Sequence, residues 1–177
     1  RYARRLYAFC WSITRSSGLQ DSEDLVQDVF LRVIKGAHTF DPQKAAFRTW
    51  VYQIARNRCT DAMRRARLIQ FIPLEKRSGR ATGTGEAEAK EALVDQRENV
   101  EGSVIRALAI EGVRDCIDGL ENSDEKQAIV LYYLGGKVYR EIGQILGKST
   151  SMARNRVKAA QGKVRRCLEQ KGISPAW

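Results

Sequence analysis

"VYREIGQILGKSTSMARNRVKAAQGKVRRCLEQKG" occupies Val138–Gly172, and its punctuation decides how the chain folds. Ile142, Ile145 and Leu146 recur at helical spacing, so a short amphipathic helix precedes Gly147. A glycine just past the last apolar residue supplies a left-handed stop, and Ser149 or Thr150 stands where the next helix needs its cap. Gly143 is small at the point where two helices would cross closely. Beyond the cap, Ala153, Val157, Ala160 and Val164 fall at i, i+4, i+7 and i+11 and form one apolar stripe. Ser151, Arg154, Asn155 and Lys158 share another face that carries no acid. The pattern predicts a helix-turn-helix. Arg and Asn at the start of its second helix can bond to base edges in a major groove, and the later cations can neutralise phosphates. A solvated basic surface helix is the bland alternative. The close succession of small residue, glycine stop and cap argues against it.

Helical periodicity extends outward from this motif. "SDEKQAIVLYYLGG" (Ser123–Gly136) reads as a capped helix ending in glycines, and Val113, Cys116, Ile117 and Leu120 form a stripe before it. The second helical block is expected from about Val104. Upstream, "EKRSGRATGTGEAEAKEA" (Glu75–Ala92) is rich in Gly, Ala, Thr and charge and has no apolar stripe, so it reads as a flexible linker, with some helix returning by Glu88. In the first block Tyr2, Leu6, Phe9 and Ile13 predict one helix, ending near Ser16-Ser17-Gly18. A second helix starts at Asp21 or Ser22, with acids in its first turn and Arg32 and Lys35 in its last, a polarity that suits the macrodipole. Its stripe is Leu25, Val29 and Val33, widened by Val26 and Phe30, and Gly36 ends it. A loop with Pro42 leads to a third helix, from Phe47 to about Arg67. Strand alternation never persists. The expected fold is all-α, with two small helical domains at 1–70 and 104–177, joined by a flexible linker at 71–103.

Composition narrows the function classes. The 177 residues carry a formal net charge of +10, which favours a polyanionic partner, and 43% hydrophobic residues, which suffice for real cores. The four cysteines, Cys10, Cys59, Cys116 and Cys167, are widely spaced, and His38 is the single histidine. Neither a zinc site nor a small secreted disulfide framework looks like this. The expectation is four small apolar core residues in a reducing cytoplasm, no metal and no cofactor. No Gly-x-Ser-x-Gly elbow is present, and Gly135-Gly136-Lys137 lacks the spacing of a phosphate loop. An enzyme with a small-molecule substrate is therefore not expected. No apolar run is long enough for a bilayer span, and no signal-peptide pattern opens the chain, so a cytoplasmic protein that is not membrane-inserted is expected.

The third helix, "FRTWVYQIARNRCTDAMRR" (Phe47–Arg65), is too aromatic for a surface and too basic for a core. Division by face resolves this. Phe47, Trp50, Val51 and Ile54 form the core side, while Arg48, Arg56, Asn57, Arg64 and Arg65 supply donors and charge. Aromatic platforms flanked by cations hold single-stranded bases, and an amide can read a base that has left its stack. Pure core packing is the alternative for Phe47 and Trp50.

"DSEDLVQDVFLRVI", "AAFRTWVYQIARNRCTDAMRR" and "YREIGQILGKSTSMARNRVKAA", in this order around a linker, resemble the extracytoplasmic-function sigma factors of bacterial RNA polymerase, from about Tyr2 to Lys171. The resemblance implies a factor that binds core polymerase, at the largest-subunit clamp helices and the flap, and directs initiation at promoter DNA. It implies core-binding contacts at Asp24, Gln27, Asp28 and Leu31, which share one helical face. It implies a −10 reader built from Phe40, Lys44, Arg48, Trp50, Arg56, Asn57, Arg64 and Arg65, with Asn57 as the base-reading amide and the loop from Thr39 to Lys44 as the pocket for an extruded base. It implies a −35 reader with contacts at Ser149, Ser151, Arg154, Asn155, Arg156 and Lys158, and an anti-sigma partner. Family members usually carry Ala at the place of Gly143 and a Ser-Arg pair at that of Asn155-Arg156, so the resemblance implies the fold but no particular −35 sequence. A stand-alone helix-turn-helix regulator of duplex DNA is the rival reading. It would bind its site alone, as a dimer on a palindrome.

Overall fold

A computed structural model describes residues 3–17, 22–70 and 100–173. Among these, every regular element is helical: α1 (Ala3–Thr14), a 3-10 turn (Arg15–Ser17), α2 (Ser22–Lys35), a second 3-10 turn (Ala37–Thr39), α3 (Phe47–Gln70), α4 (Val100–Asp118), α5 (Ser123–Tyr133), α6 (Tyr139–Leu146) and α7 (Thr150–Gln170). The stretch read as linker and the return of helix near Glu88 lie outside the described residues, apart from 100–103. These last four already belong to α4, which starts before the expected Val104.

The N-terminal block is α1, α2 and α3. Leu6, Phe9, Cys10 and Ile13 of α1 meet Val26 and Val29 of α2 and Val51, Tyr52, Ala55 and Cys59 of α3 in one buried cluster. Phe9 packs edge-on against Tyr52, with ring centroids 5.4 Å apart. Phe30 and Val33 are only partly buried, so the stripe of α2 narrows toward its C-terminus. Gly36 ends α2, its N–H donating to the Arg32 carbonyl at 2.8 Å.

The C-terminal block is held by the punctuation seen in the sequence. Asn122 caps α5, its Oδ1 accepting from the N–H groups of Asp124 and Glu125 at 3.0 and 3.2 Å. Gly147 takes φ 65°, the left-handed conformation that stops α6 at little cost only for glycine. Ser149 Oγ then accepts from the Met152 N–H at 3.2 Å and starts α7. A Cβ on Gly143 would lie 2.8 Å from the Lys148 carbonyl oxygen, so the tight turn needs its bare backbone. Ala153, Val157, Ala160, Val164 and Leu168 of α7 are buried as one stripe.

The cysteines depart from the reading of four reduced core residues. Cys10 and Cys59 are buried and free, and the Cys59 thiol is pushed up, first by its hydrogen bond with Cys10 and then by burial. Cys116 and Cys167 instead form a disulfide between α4 and α7, with Cα atoms 5.8 Å apart. Their separation of 51 residues explains why no Cys-x-x-Cys signal betrayed them. Closing so long a loop restrains the unfolded chain, so reduction should lower the unfolding free energy by about 2–4 kcal/mol. A urea titration with and without reductant checks this. An unchanged midpoint would mean that other contacts hold α4 to α7.

The two blocks pack on each other, α3 against α6 and α1 against α4 and α5. The sequence did not suggest this.

Candidate nucleic-acid interface

α7 presents the predicted donor face. Ser151, Arg154, Asn155 and Lys158 are exposed, as is the capping Ser149, while the apolar stripe opposite is buried against α5 and α6. The cap and the buried stripe fix the helix rotation, so the four polar positions share one outward edge. Arg156 does not join them. Its guanidinium lies 3.7 Å from Glu125, a buried carboxylate that also takes Lys163 Nζ at 2.7 Å. Arg156 follows the stripe residue Ala153 by three positions and precedes Val157 directly, which places it half-buried at the edge of α7 beside α5. Arg156 therefore differs from the other predicted contacts on α7 in having an acidic partner within the protein, with its side chain 34% exposed.

The start of α3 and the loop before it assemble a cluster of three rings. Phe40 lies 5.4 Å from Phe47, nearly perpendicular, and 5.4 Å from Trp50, while Phe47 and Trp50 are 5.7 Å apart. The loop is shaped locally. Thr39 Oγ1 donates to the Gly36 carbonyl at 2.7 Å, and Asp41 Oδ1 accepts from the Gln43 N–H at 2.9 Å, an Asx turn. Lys44 pairs with Asp41 across the same turn at 3.3 Å. Phe47 is 43% exposed, so it is not a core residue as the facial division had it, whereas Val51 is buried and Trp50 and Ile54 are half-buried.

Farther along α3 the predicted cations split. Asn57 is exposed, and its Oδ1 accepts one long bond from Arg56 at 3.5 Å. Arg64 pairs with Asp61 at 3.3 Å, one helical turn away, and Arg65 is exposed. Arg48 and Arg56 reach into the other block: Arg48 lies 3.8 Å from Glu141 of α6, and Arg56 Nε donates to Gln127 Oε1 of α5 at 3.0 Å.

Two residues at this seam carry no signal in the sequence. Lys137, in the turn before α6, is buried with its Nζ 4.8 Å from the Tyr52 ring centroid and 3.4 Å from Glu141 Oε1. Glu141 also accepts from the Thr49 hydroxyl at 3.0 Å and from the Val138 N–H at 3.3 Å. Burial pulls the Lys137 ammonium below the usual lysine range, although Glu141 opposes it. For Glu141 burial acts against ionisation, yet Val138, Thr49 and Lys137 together outweigh it and hold the carboxyl below its usual range. A glutamate at the third position of a helix reads as capping alone, so only its neighbours across the seam reveal the second role.

On α2, Asp24, Gln27 and Leu31 are exposed on one face, with Leu31 54% exposed. Asp28 is half-buried and forms ion pairs with Arg32, 3.5 Å away, and with Arg58 of α3. It therefore ties α2 to α3 besides lining that face.

Two regions of one family match the chain: Sigma-70 region 2 over residues 1–69 and Sigma-70, region 4 over 119–166. The chain belongs to the sigma-70 family. Within it, the sigma factor is 28% identical over 170 residues to the ECF RNA polymerase sigma factor SigK of Mycobacterium ulcerans, covering 93% of this chain and 80% of the relative. The SigK of Mycobacterium tuberculosis is 27% identical over the same coverage. Two solved structures share the fold of the sigma factor. RpoE of Bartonella quintana, crystallised with the anti-sigma factor NepR, superposes with a TM-score of 0.66 at 21% identity, over 94% of this chain and 91% of that one. CnrH, in complex with the cytosolic domain of CnrY, gives 0.60 at 22% identity, over 96% and 85%.

Proposed function

We propose that the chain is an extracytoplasmic-function initiation factor that binds core RNA polymerase and selects promoters with two separate DNA-reading surfaces. The observation that carries this reading is their coexistence. The exposed Ser151, Arg154, Asn155 and Lys158 on α7 suit the edge of a duplex, whereas the half-exposed rings of Phe40, Phe47 and Trp50, with Asn57 beyond them, suit unpaired bases. A stand-alone regulator of duplex DNA needs only the first. Residues 1–70 would hold the polymerase and the melted −10 strand, and residues 104–177 would dock on the −35 duplex. Strand opening is driven by binding energy for captured bases, without a covalent step, so the factor is not an enzyme.

The exposed face of α2, with Asp24, Gln27 and Leu31, is the proposed contact with the clamp helices, and the C-terminal block meets the flap. One solved structure of this fold is a complex with the anti-sigma factor NepR and another a complex with the cytosolic domain of CnrY, which supports a protein partner of that kind here. Among the described residues no helix is long and apolar enough to cross a membrane, which accords with a factor working beside the polymerase in the cytoplasm.

Run-off transcription with core enzyme on a library of promoter templates tests the reading. The chain should start transcription at defined positions while binding free duplex weakly. The double variant Asp24→Arg, Leu31→Ala should lose core binding by on the order of a hundredfold, because a like-charge contact at an interface costs several kcal/mol. Asp28 is left in place, since its pair with Arg58 would confound the result. Unchanged core affinity would remove α2 from the interface. Tight dimeric binding to a palindromic duplex, without any transcription, would favour the stand-alone regulator.

A further inference from the structure

We infer that the factor carries its own gate: the C-terminal block closes on the N-terminal block and engages Arg48 and Arg56, two of the α3 cations that an unpaired −10 strand would use. This rests on the assignment of α3 to that strand. Arg56 donates to Gln127 at 3.0 Å, and Arg48, its side chain 44% exposed, leans to within 3.8 Å of Glu141. Between them Thr49 bonds Glu141 at 3.0 Å, and Gln53 Nε2 donates to the Gln144 carbonyl at 2.9 Å, so α6 lies along successive turns of α3. A strand backbone following the same cations would have to displace α6.

A second belt closes the far end. Arg15 pairs with Asp118 at 2.6 Å and reaches Glu111 and Asp115 at 3.2 and 3.5 Å, while Lys126 donates to Ser16 at 2.8 Å and pairs with Asp118 at 2.7 Å. The guanidinium groups of Arg15 and Arg114 both stand over the Trp11 ring, 4.8 and 5.0 Å from its centroid.

The chemistry of the seam makes closure reversible. Buried apolar residues of both blocks form one continuous cluster, but the hydrogen bonds across the seam start from polar side chains, and water or phosphate can satisfy those groups as well. A polar cavity of about 350 Å³, lined by Ser16, Met63, Arg67, Asp118, Glu121 and Lys126, is left between the blocks. Domain contacts that are polar and imperfectly filled are the kind that open. Closure then taxes strand binding by the fraction of molecules that are open.

A lock and a wedge test this on the full chain. Gln53→Cys with Gln144→Cys, bridged by a photocleavable bis-maleimide, should hold the closed form. The bridged protein should bind an A/T-rich pool of twelve-nucleotide single strands at least about tenfold more weakly than the unbridged variant. It should fail in run-off transcription with core polymerase until light cleaves the bridge. Arg15→Glu, which faces three acids across the seam and touches no proposed DNA contact, should expand the particle in small-angle scattering and tighten strand binding. A bridged protein that binds strands and transcribes like the unbridged one would overturn the gate. So would an Arg15→Glu variant that stays folded, keeps wild-type dimensions and binds strands no better. Absence of transcription from every form would instead sink the initiation-factor reading, and the strand-binding comparison would still decide the gate.

Discussion

Glu141→Ala should lower the unfolding free energy by about 3–5 kcal/mol, the cost of leaving a buried charge without its partner. The charge is Lys137, whose side chain is fully buried, and Glu141 is the carboxylate it meets at 3.4 Å. The same change removes the acceptor of the Thr49 hydroxyl and of the Val138 N–H. In the variant the Lys137 ammonium loses the one carboxylate that opposes its desolvation, so it falls further below the lysine range. The pH dependence has a fixed direction. The Glu141 carboxyl is held below 4.5, so the unfolded chain binds that proton more tightly. Its contribution is complete above about pH 4.5 and disappears as pH falls through the folded value. Lys137 is held below 10.5 when folded, so stability rises again as pH climbs through the window beneath that value. Denaturant titrations of both proteins across the acidic range check the assignment. The difference between wild type and Glu141→Ala should shrink on acidification, and a difference independent of pH would show that the carboxylate's charge is irrelevant.

Asn57→Ala should slow open-complex formation by roughly ten- to a hundredfold, the scale of about 1–3 kcal/mol for one base-reading contact. The structure separates this loss from misfolding. Asn57 is exposed and its side chain makes one long bond, to Arg56, so thermal stability should stay at the wild-type value. Permanganate footprinting of the melted strand, on templates varied across the −10 region, is the informative measurement. Asn57→Ala should flatten the preference at one base position and leave the others. Equal opening on every template would remove Asn57 from the reading surface.

The fold was legible where local chemistry decides it. The Gly147 stop, the Ser149 cap and the Ala153–Val157–Ala160–Val164 stripe are short-range features, each of which the structure repeats at its expected position. The charged termini of α2 and its Gly36 stop were equally plain. Site residues were legible less evenly. Periodicity placed Ser151, Arg154, Asn155 and Lys158 outward, but it could not tell that Arg156 turns to Glu125 of α5. Nor could it show that Phe47 stays 43% exposed, because that depends on how far the 37–46 loop covers the rings.

By itself the sequence determined seven helices' worth of periodicity, their caps and stops, and the separation of a basic face from an apolar one. These follow from interactions within a few residues along the chain. Only the tertiary structure decided that Cys116 meets Cys167, that Asp28 holds Arg58, and that Lys137 and Glu141 face Thr49 and Tyr52. Each of these joins residues of different helices, and helical spacing carries no record of which helix lies across the gap. Arg48 and Arg56 show the difference most directly, since their charge is written in the sequence and their present partners belong to the packing of the two blocks.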